Sequence, residues 1–196
     1  MISITHSLHR KGNIDDLKQD YVILAMLSRN INDKYPDSRE RLIKVGNILK
    51  EHSPVNMMSE NLWTISPVIT AVYDNIHSIK KILKKLKEED LGISIVVSGL
   101  ISEIQSVAKE VGLKLHTAHL SLGIFGNKEN LPDDKILSIT TMCGHHCISP
   151  KSIADYVQKI KEKKITIDKA AEKLAKPCVC GIFNINRAKN LLKSLI

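Results

Sequence analysis

The sequence predicts an α/β fold, with a mainly parallel sheet and flanking helices, followed by a C-terminal unit that is entirely helical. Apolar, β-branched segments alternate with segments of helical periodicity, and the connections between them are short. From Pro132 onward the helical patterns dominate, and all four cysteines occur in that part of the chain. We therefore expect an α/β domain at residues 1–130 and a helical unit at residues 131–196 that packs on it.

The first half of the predicted α/β domain contains two strands and two helices. Residues 2–8 alternate between apolar and polar side chains, which predicts a strand. Asn13 can cap a helix whose apolar side chains recur at helical spacing to about residue 27. A second helix is expected at residues 38–52, and residues 67–73, rich in β-branched side chains, predict the next strand.

The second half of this domain contains the most apolar predicted strand, at residues 92–97. Its nearly continuous apolar character is typical of a strand buried on both faces of a parallel sheet. A helix with lysines on its outer face precedes it and extends to about residue 89. A helix at residues 100–111 and a strand at residues 114–125 complete the domain.

The carboxyl end of the strand at residues 92–97 predicts a binding pocket. In open α/β sheets, ligands bind beside the carboxyl ends of the strands. Ser98 and Gly99 occupy this end, and His9 follows the predicted strand at residues 2–8. We therefore expect Ser98, Gly99 and His9 to line a site for a ligand or cofactor, although the sequence lacks the glycine-rich motifs of dinucleotide and P-loop sites.

The helical unit has recognisable helix starts. Ser149 is followed by Pro150 and can cap a helix that extends to about residue 163. Thr166 can cap the next helix, and Asn184 or Asn186 can cap the last one.

The four cysteines form two closely spaced pairs in this unit. Cys143 and Cys147 belong to the segment CGHHC, and Cys178 and Cys180 belong to the segment KPCVCG. Residues 148–177 are enough for two helices packed as a hairpin, which would bring the pairs together. Each pair also precedes a predicted helix N-terminus, whose free N–H groups and positive dipole end stabilise thiolates.

This pattern predicts a metal centre at Cys143, Cys147, Cys178 and Cys180. Thiolates suit iron–sulfur clusters and zinc, whereas four buried and inert cysteines would not need such close pairing. Cys178 and Cys180 are too close in sequence to wrap one ion comfortably but can bind two irons of one cluster. We therefore expect a [4Fe–4S] cluster, with zinc as the alternative.

Glycine and proline flank the sulfur ligands. Gly144 and Gly181 allow the backbone to approach sulfur closely, and Pro177 ends the preceding helix so that the loop can turn.

His145 and His146, between the first two cysteines, are the candidate catalytic residues. If all four cysteines ligate iron, the centre serves electron transfer, sensing or structure. If Cys147 is not a ligand, one iron is open to act as a Lewis acid, and one of the histidines transfers a proton. A zinc site would instead indicate a binding module for a nucleic acid or a protein partner.

Charge and composition limit the partners. The net charge of +8 fits an acidic redox partner or an anionic small molecule. Nucleic acid is less favoured, because the lysines follow helical spacing and are not interleaved with aromatic residues. The sequence also contains no secretory signal and no run long enough to span a bilayer, so we expect a cytoplasmic, reducing environment in which cysteines bind metal rather than form disulfides.

Overall fold

The computed structural model describes residues 10–120 and 124–196 of the chain. These residues form eight α-helices and four β-strands around one sheet. In chain order they are α1 (Ile14–Leu17), β1 (Tyr21–Met26), α2 (Ser38–Glu51), β2 (Asn56–Met57), β3 (Val68–Tyr73), α3 (Ile76–Glu89), β4 (Ser94–Ser98), α4 (Ile101–Glu110), α5 (Asp134–Thr140), α6 (Pro150–Lys161), α7 (Ile167–Ala175) and α8 (Ile185–Lys193). Within the described ranges, no helix combines the length and the hydrophobicity that a membrane span requires.

The sheet is antiparallel, so the predicted mainly parallel sheet is wrong. Its strand order is β2-β3-β1-β4, and each neighbouring pair runs in opposite directions. In the centre, Ile23 of β1 lies opposite Ala71 of β3 on one side and Val97 of β4 on the other.

The alternation of strands and helices misled the prediction because two β-α-β units interleave. β1 and β2 run in the same direction and are connected through α2, but β3 lies between them. β3 and β4 likewise run in the same direction through α3, but β1 lies between them. Every hydrogen-bonded pair is therefore antiparallel, in the split β-α-β topology.

The segment predicted as an interior parallel strand, residues 93–97, is instead part of the edge strand β4. It pairs with β1 alone among the described strands, and Val96 is 40% exposed. Ile95 and Val97 pack on the core from one face. The apolar sequence of β4 is therefore not a sign that both faces of this strand are buried.

Two other expected elements differ in the structure. The helix capped by Asn13 ends after one turn at Leu17, and residues 21–26 form β1 in the centre of the sheet. The expected strand at residues 114–125 is wrong for residues 114–120, which adopt no regular secondary structure. Residues 121–123 lie outside the described residues, as does the expected strand at residues 2–8.

The sheet separates two hydrophobic clusters. Alternate side chains of β1 and β3, including Ile23 and Ala71, pack with α2, α3 and α4 on one face. Val22 and Val72 point to the opposite face and pack with residues of α5, α6, α7 and α8. The C-terminal helices thus cover the second face of the sheet, while the expected boundary near residue 130 stays a prediction.

The helix starts expected in the C-terminal part are confirmed. The side chains of Ser149, Thr166 and Asn184 each accept a hydrogen bond from the backbone N–H three residues later, at the starts of α6, α7 and α8. Two of these helices, α6 and α8, begin shortly after a cysteine pair, so the caps fix where both cysteine loops end.

Candidate metal centre

The four cysteines lie next to one another, as their spacing predicted. Cys143 and Cys147 follow α5, and α6 and α7 pack together and return the chain to this point. The sulfur of Cys143 contacts those of Cys147 and Cys178, and the Sγ atoms of Cys178 and Cys180 are 3.7 Å apart. The two pairs therefore form one continuous group of thiols.

The group lies at the edge of the second hydrophobic cluster and reaches the surface. Cys143 and Cys178 are buried, Cys180 is half-buried and Cys147 is exposed. The structure records all four as free thiols. One side of the group is consequently dry and the other is accessible to solvent.

Backbone N–H groups point at two of the sulfurs. Those of His145 and Cys147 donate to the sulfur of Cys143, and that of Ile182 donates to the sulfur of Cys180. The first loop turns through His146, whose φ of 53° is left-handed and whose N–H donates to the carbonyl of Cys143 over 3.0 Å. This folding orients amide dipoles toward sulfur, where they stabilise negative charge.

Hydrogen bonds among the four thiols lower the pKa of two of them and raise the pKa of the other two. A hydrogen bond from Cys178 lowers the pKa of Cys143 to about 5, against desolvation that opposes it. A second hydrogen bond from Cys178 lowers the pKa of Cys180 to about 6. The pKa of Cys178, whose one S–H hydrogen is shared between these two sulfurs, is raised, and the pKa of Cys147 is raised by its hydrogen bond to Cys143. Two of the four cysteines, Cys143 and Cys180, therefore favour the thiolate, the form that binds metal.

The two candidate catalytic histidines differ in position. The Nδ1 atom of His145 lies 3.7 Å from the Sγ atom of Cys180, and the carbonyl of His145 accepts from Cys147 over 3.8 Å. The side chain of His146 is exposed, and the left-handed backbone of this residue turns the first cysteine loop. The structure therefore brings His145 to the sulfurs and gives His146 a conformational role.

The thiols are neighbours but do not already surround one point. Among residues 10–120 and 124–196, no three or more His, Cys, Asp or Glu side chains have the geometry of a site for a metal ion. The donor set nevertheless fits a thiolate-bound metal, since it provides four sulfurs and three N–H groups directed at them.

A buried group of charged residues, which the sequence did not reveal, connects the two cysteine loops. We call Arg10, Asp16, Asp20 and Arg187 the arginine clasp. The Nη2 atom of Arg10 donates to the carbonyl of Met142 over 3.0 Å and to the carbonyl of Ile182 over 2.6 Å. These carbonyls precede Cys143 and follow Cys180, so one guanidinium holds both loops.

Two carboxylates hold the arginines of this clasp. Asp20 accepts from Arg10 and, over 2.9 Å, from the Nη1 atom of Arg187. Asp16 accepts two further hydrogen bonds from Arg187, of 2.9 and 2.6 Å. Both arginine side chains are almost completely buried. Nothing in the sequence marks these residues, because Arg187 is more than 160 residues from the other three and the sequence pattern of Asp16 and Asp20 is that of an exposed helix face.

The second cysteine loop also lies directly on the sheet. The hydroxyl of Thr70 donates to the carbonyl of Cys180, and the amide of Asn56 donates to the carbonyl of Phe183 over 3.1 Å. Gly181 has a left-handed φ of 68°, and a Cβ atom there would lie 2.0 Å from the carbonyl carbon of Met57. Strands β2 and β3 therefore fix the position of the second cysteine pair.

Two of the three residues expected to bind a cofactor, Ser98 and Gly99, lie away from the cysteines. Ser98 ends β4 and is buried, and Gly99 follows it. Both line a cavity of about 650 Å³ whose lining, among the described residues, includes no cysteine. His9 lies outside the described residues. The structure therefore does not bring Ser98 and Gly99 to the cysteines.

Comparison with known proteins adds no functional assignment. No protein-family model matches the chain, and neither a curated protein nor a solved structure is significantly similar to it. Since a fold alone does not define an activity, the chemistry of the cysteine group carries the functional argument.

Proposed function

We propose that Cys143, Cys147, Cys178 and Cys180 bind a [4Fe–4S] cluster, with which the protein acts in electron transfer or as a cluster-dependent enzyme. The observation that carries the proposal is the meeting of all four thiols at one half-exposed place in the fold. Such a centre is expected in a reducing compartment, and the net charge of +8 suits an acidic redox partner.

Three features of the loops support a cluster. Cys178 and Cys180 are separated by one residue, which suits ligation of two different irons. The N–H groups directed at Cys143 and Cys180 are the hydrogen bonds that tune the potential of iron–sulfur centres. The starts of α6 and α8, just after the two pairs, place positive dipole ends near the negative charge.

Zinc is the second candidate, and one distance favours it. Four sulfurs at about 2.3 Å from a tetrahedral zinc ion lie about 3.8 Å from each other. The Sγ atoms of Cys178 and Cys180 are 3.7 Å apart, which is close to this value. A structural zinc site would make the protein a binding module for a nucleic acid or protein partner, with the metal holding the two loops.

Anaerobic purification with metal and sulfide analysis distinguishes these functions. We expect a brown protein with broad visible absorption that contains about four iron atoms and four sulfides per chain. A colourless protein with about one zinc ion per chain would contradict the cluster and support the zinc site. Absence of both metals after expression with iron and zinc would contradict each proposal.

Replacement of Cys147 tests whether the cluster has an open iron. The Cys147 thiol is exposed, whereas Cys178 is buried and contacts two other sulfurs. We expect Cys147→Ala to retain most of its iron and visible absorbance, and Cys178→Ala to lose nearly all of both. An open iron would supply Lewis-acid chemistry, and His145 is placed to transfer a proton beside it.

Equal loss of iron in the two variants would show a closed cluster. That result would favour electron transfer over catalysis, because every iron would then have a cysteine ligand. Cys147→Ser provides the matched control, since its hydroxyl has nearly the same size and separates the effect of ligation from that of packing.

A further inference from the structure

A cavity of about 650 Å³ lies beside the edge strand β4, and the cysteine group takes no part in it. Ile95 and Val97 of β4 form one wall, with Leu86 of α3 and Ala108 of α4. Residues 113–119, which follow α4 and adopt no regular structure, form the other. The volume lies within the range of small-molecule sites, about 300–1,000 Å³, which are also mostly apolar.

The polar groups of the cavity are mainly basic. Lys114, His116 and His119 belong to the wall formed by residues 113–119, and all three are exposed. Across the described ranges, the ammonium of Lys114 has no hydrogen bond or ion pair, so its charge is available to a ligand. Asp90 is the one acidic residue in the lining. One side of an otherwise apolar cavity is therefore positively charged.

Lys87 also lines the cavity, but its ammonium group is bound to backbone carbonyls. Its Nζ atom donates to the carbonyls of Val111 and Gly112 over 2.9 and 3.1 Å. These carbonyls follow α4, so Lys87 holds the start of the outer wall against α3. Its ammonium group is held by these carbonyls, which leaves Lys114 as the other lysine of the described lining and the one that can face a ligand.

We propose that this cavity binds a small molecule with an extended apolar body and a single anionic end, such as a medium-chain carboxylate. The apolar chain lies between β4 and the helices α3 and α4. The carboxylate lies beside Lys114 and His116, where it pairs with the ammonium charge and accepts hydrogen bonds from the ammonium and the imidazole ring. This site is independent of the cysteine group, so loss of metal does not affect the proposal.

Calorimetric titration with decanoate, decanol and decyltrimethylammonium tests the ligand class. The three probes share a chain and differ in the charge of the end group. We expect decanoate to bind with a stoichiometry of about one and at least tenfold more tightly than decyltrimethylammonium, because like charges repel at the basic end. No saturable binding of decanoate, or equal binding of all three probes, would overturn the proposal.

Two variants locate the site. Lys114→Glu changes an exposed side chain and is expected to weaken decanoate binding about tenfold and to abolish the preference for the anion. Lys151→Glu, on the exposed surface of α6 and outside the lining, is the control and should bind as the unchanged protein does. Unaltered binding by Lys114→Glu would contradict the assigned anionic end.

Ala108→Leu fills the cavity from α4 and is expected to remove binding of the chain itself. If this variant does not fold, the Lys114→Glu result still decides the proposal. Size-exclusion chromatography with each titration distinguishes a second copy of the protein, which could pair with the β4 edge. A dimer that forms without decanoate and excludes it would overturn the small-molecule site.

Discussion

Replacing Arg187 by Met is expected to lower the free energy of unfolding by roughly 3–5 kcal/mol, because it removes the cation of Asp16 and one of the two cations that pair with the buried Asp20. The Arg187 side chain is 1% exposed and donates to both Asp16 and Asp20. Burial lowers the pKa of Arg187, but hydrogen bonds and the charges of the two aspartates outweigh this effect and raise it. The guanidinium therefore stays charged and compensates the charges of the two carboxylates.

The same substitution is also expected to reduce metal binding. Asp20 holds Arg10, and Arg10 donates to the carbonyls next to both cysteine loops. A displaced Asp20 would release this connection, so the sulfurs would converge less often. Metal content and the urea midpoint of Arg187→Met should fall together.

Lys189→Met is the matched control on the same helix. Lys189 forms an ion pair with Asp168 at the surface, with 2.8 Å between the charged atoms, and such pairs contribute little. We expect its urea midpoint and metal content to remain close to those of the unchanged protein. Equal unfolding curves for Arg187→Met and the unchanged protein would refute a stabilising clasp.

The helices could be predicted because their signals are local. Ser149, Thr166 and Asn184 each cap a helix through contacts within three residues, and periodicity fixed the rest. The convergence of the cysteines followed from the same information, because two helices of ordinary length between the pairs return the chain. Short-range chemistry was sufficient for this part of the site.

The order of the strands could not be predicted in this way. Strand–helix alternation in the sequence shows which strands are connected through a helix. It does not show whether a third strand lies between those two in the sheet, as β3 does between β1 and β2. Residues 21–26 form β1, but their apolar residues also fit a helical spacing, so the sequence predicts a helix there. In the folded protein, the side chains of β1 are buried on both faces of the sheet, in the two hydrophobic clusters, and this burial favours a strand. The sequence does not show this burial, because it arises from contacts with distant parts of the chain.

The sequence also does not reveal which residues hold the cysteine loops in place. Arg10 contacts the carbonyls beside both cysteine pairs, and it is joined through Asp20 to Arg187 near the other end of the sequence, so no spacing relates the two arginines. The sequence also suggests the same role for the two loop glycines, Gly144 and Gly181. In the structure Gly144 has no close neighbour, whereas Gly181 lies against the backbone of β2.

This difference predicts that Gly181→Ala destabilises the protein by about 3 kcal/mol or more and reduces metal binding severely. The left-handed φ of 68° is unfavourable for alanine. In addition, the new methyl group would lie 2.0 Å from the carbonyl carbon and 2.3 Å from the carbonyl oxygen of Met57. Backbone atoms of a paired strand cannot move aside as the end of a flexible side chain can, so the second cysteine loop must shift.

Gly144→Ala provides the comparison within the same site. A Cβ atom there would meet the Cδ1 atom of Ile182 at 3.7 Å, which is ordinary van der Waals contact. We therefore expect Gly144→Ala to keep its stability and metal content, although it adds the same methyl group beside a cysteine. Urea unfolding and iron analysis of both variants measure the two effects together. If both variants lost metal equally, proximity to sulfur would explain the glycines, and the seating of the second loop on β2 would not.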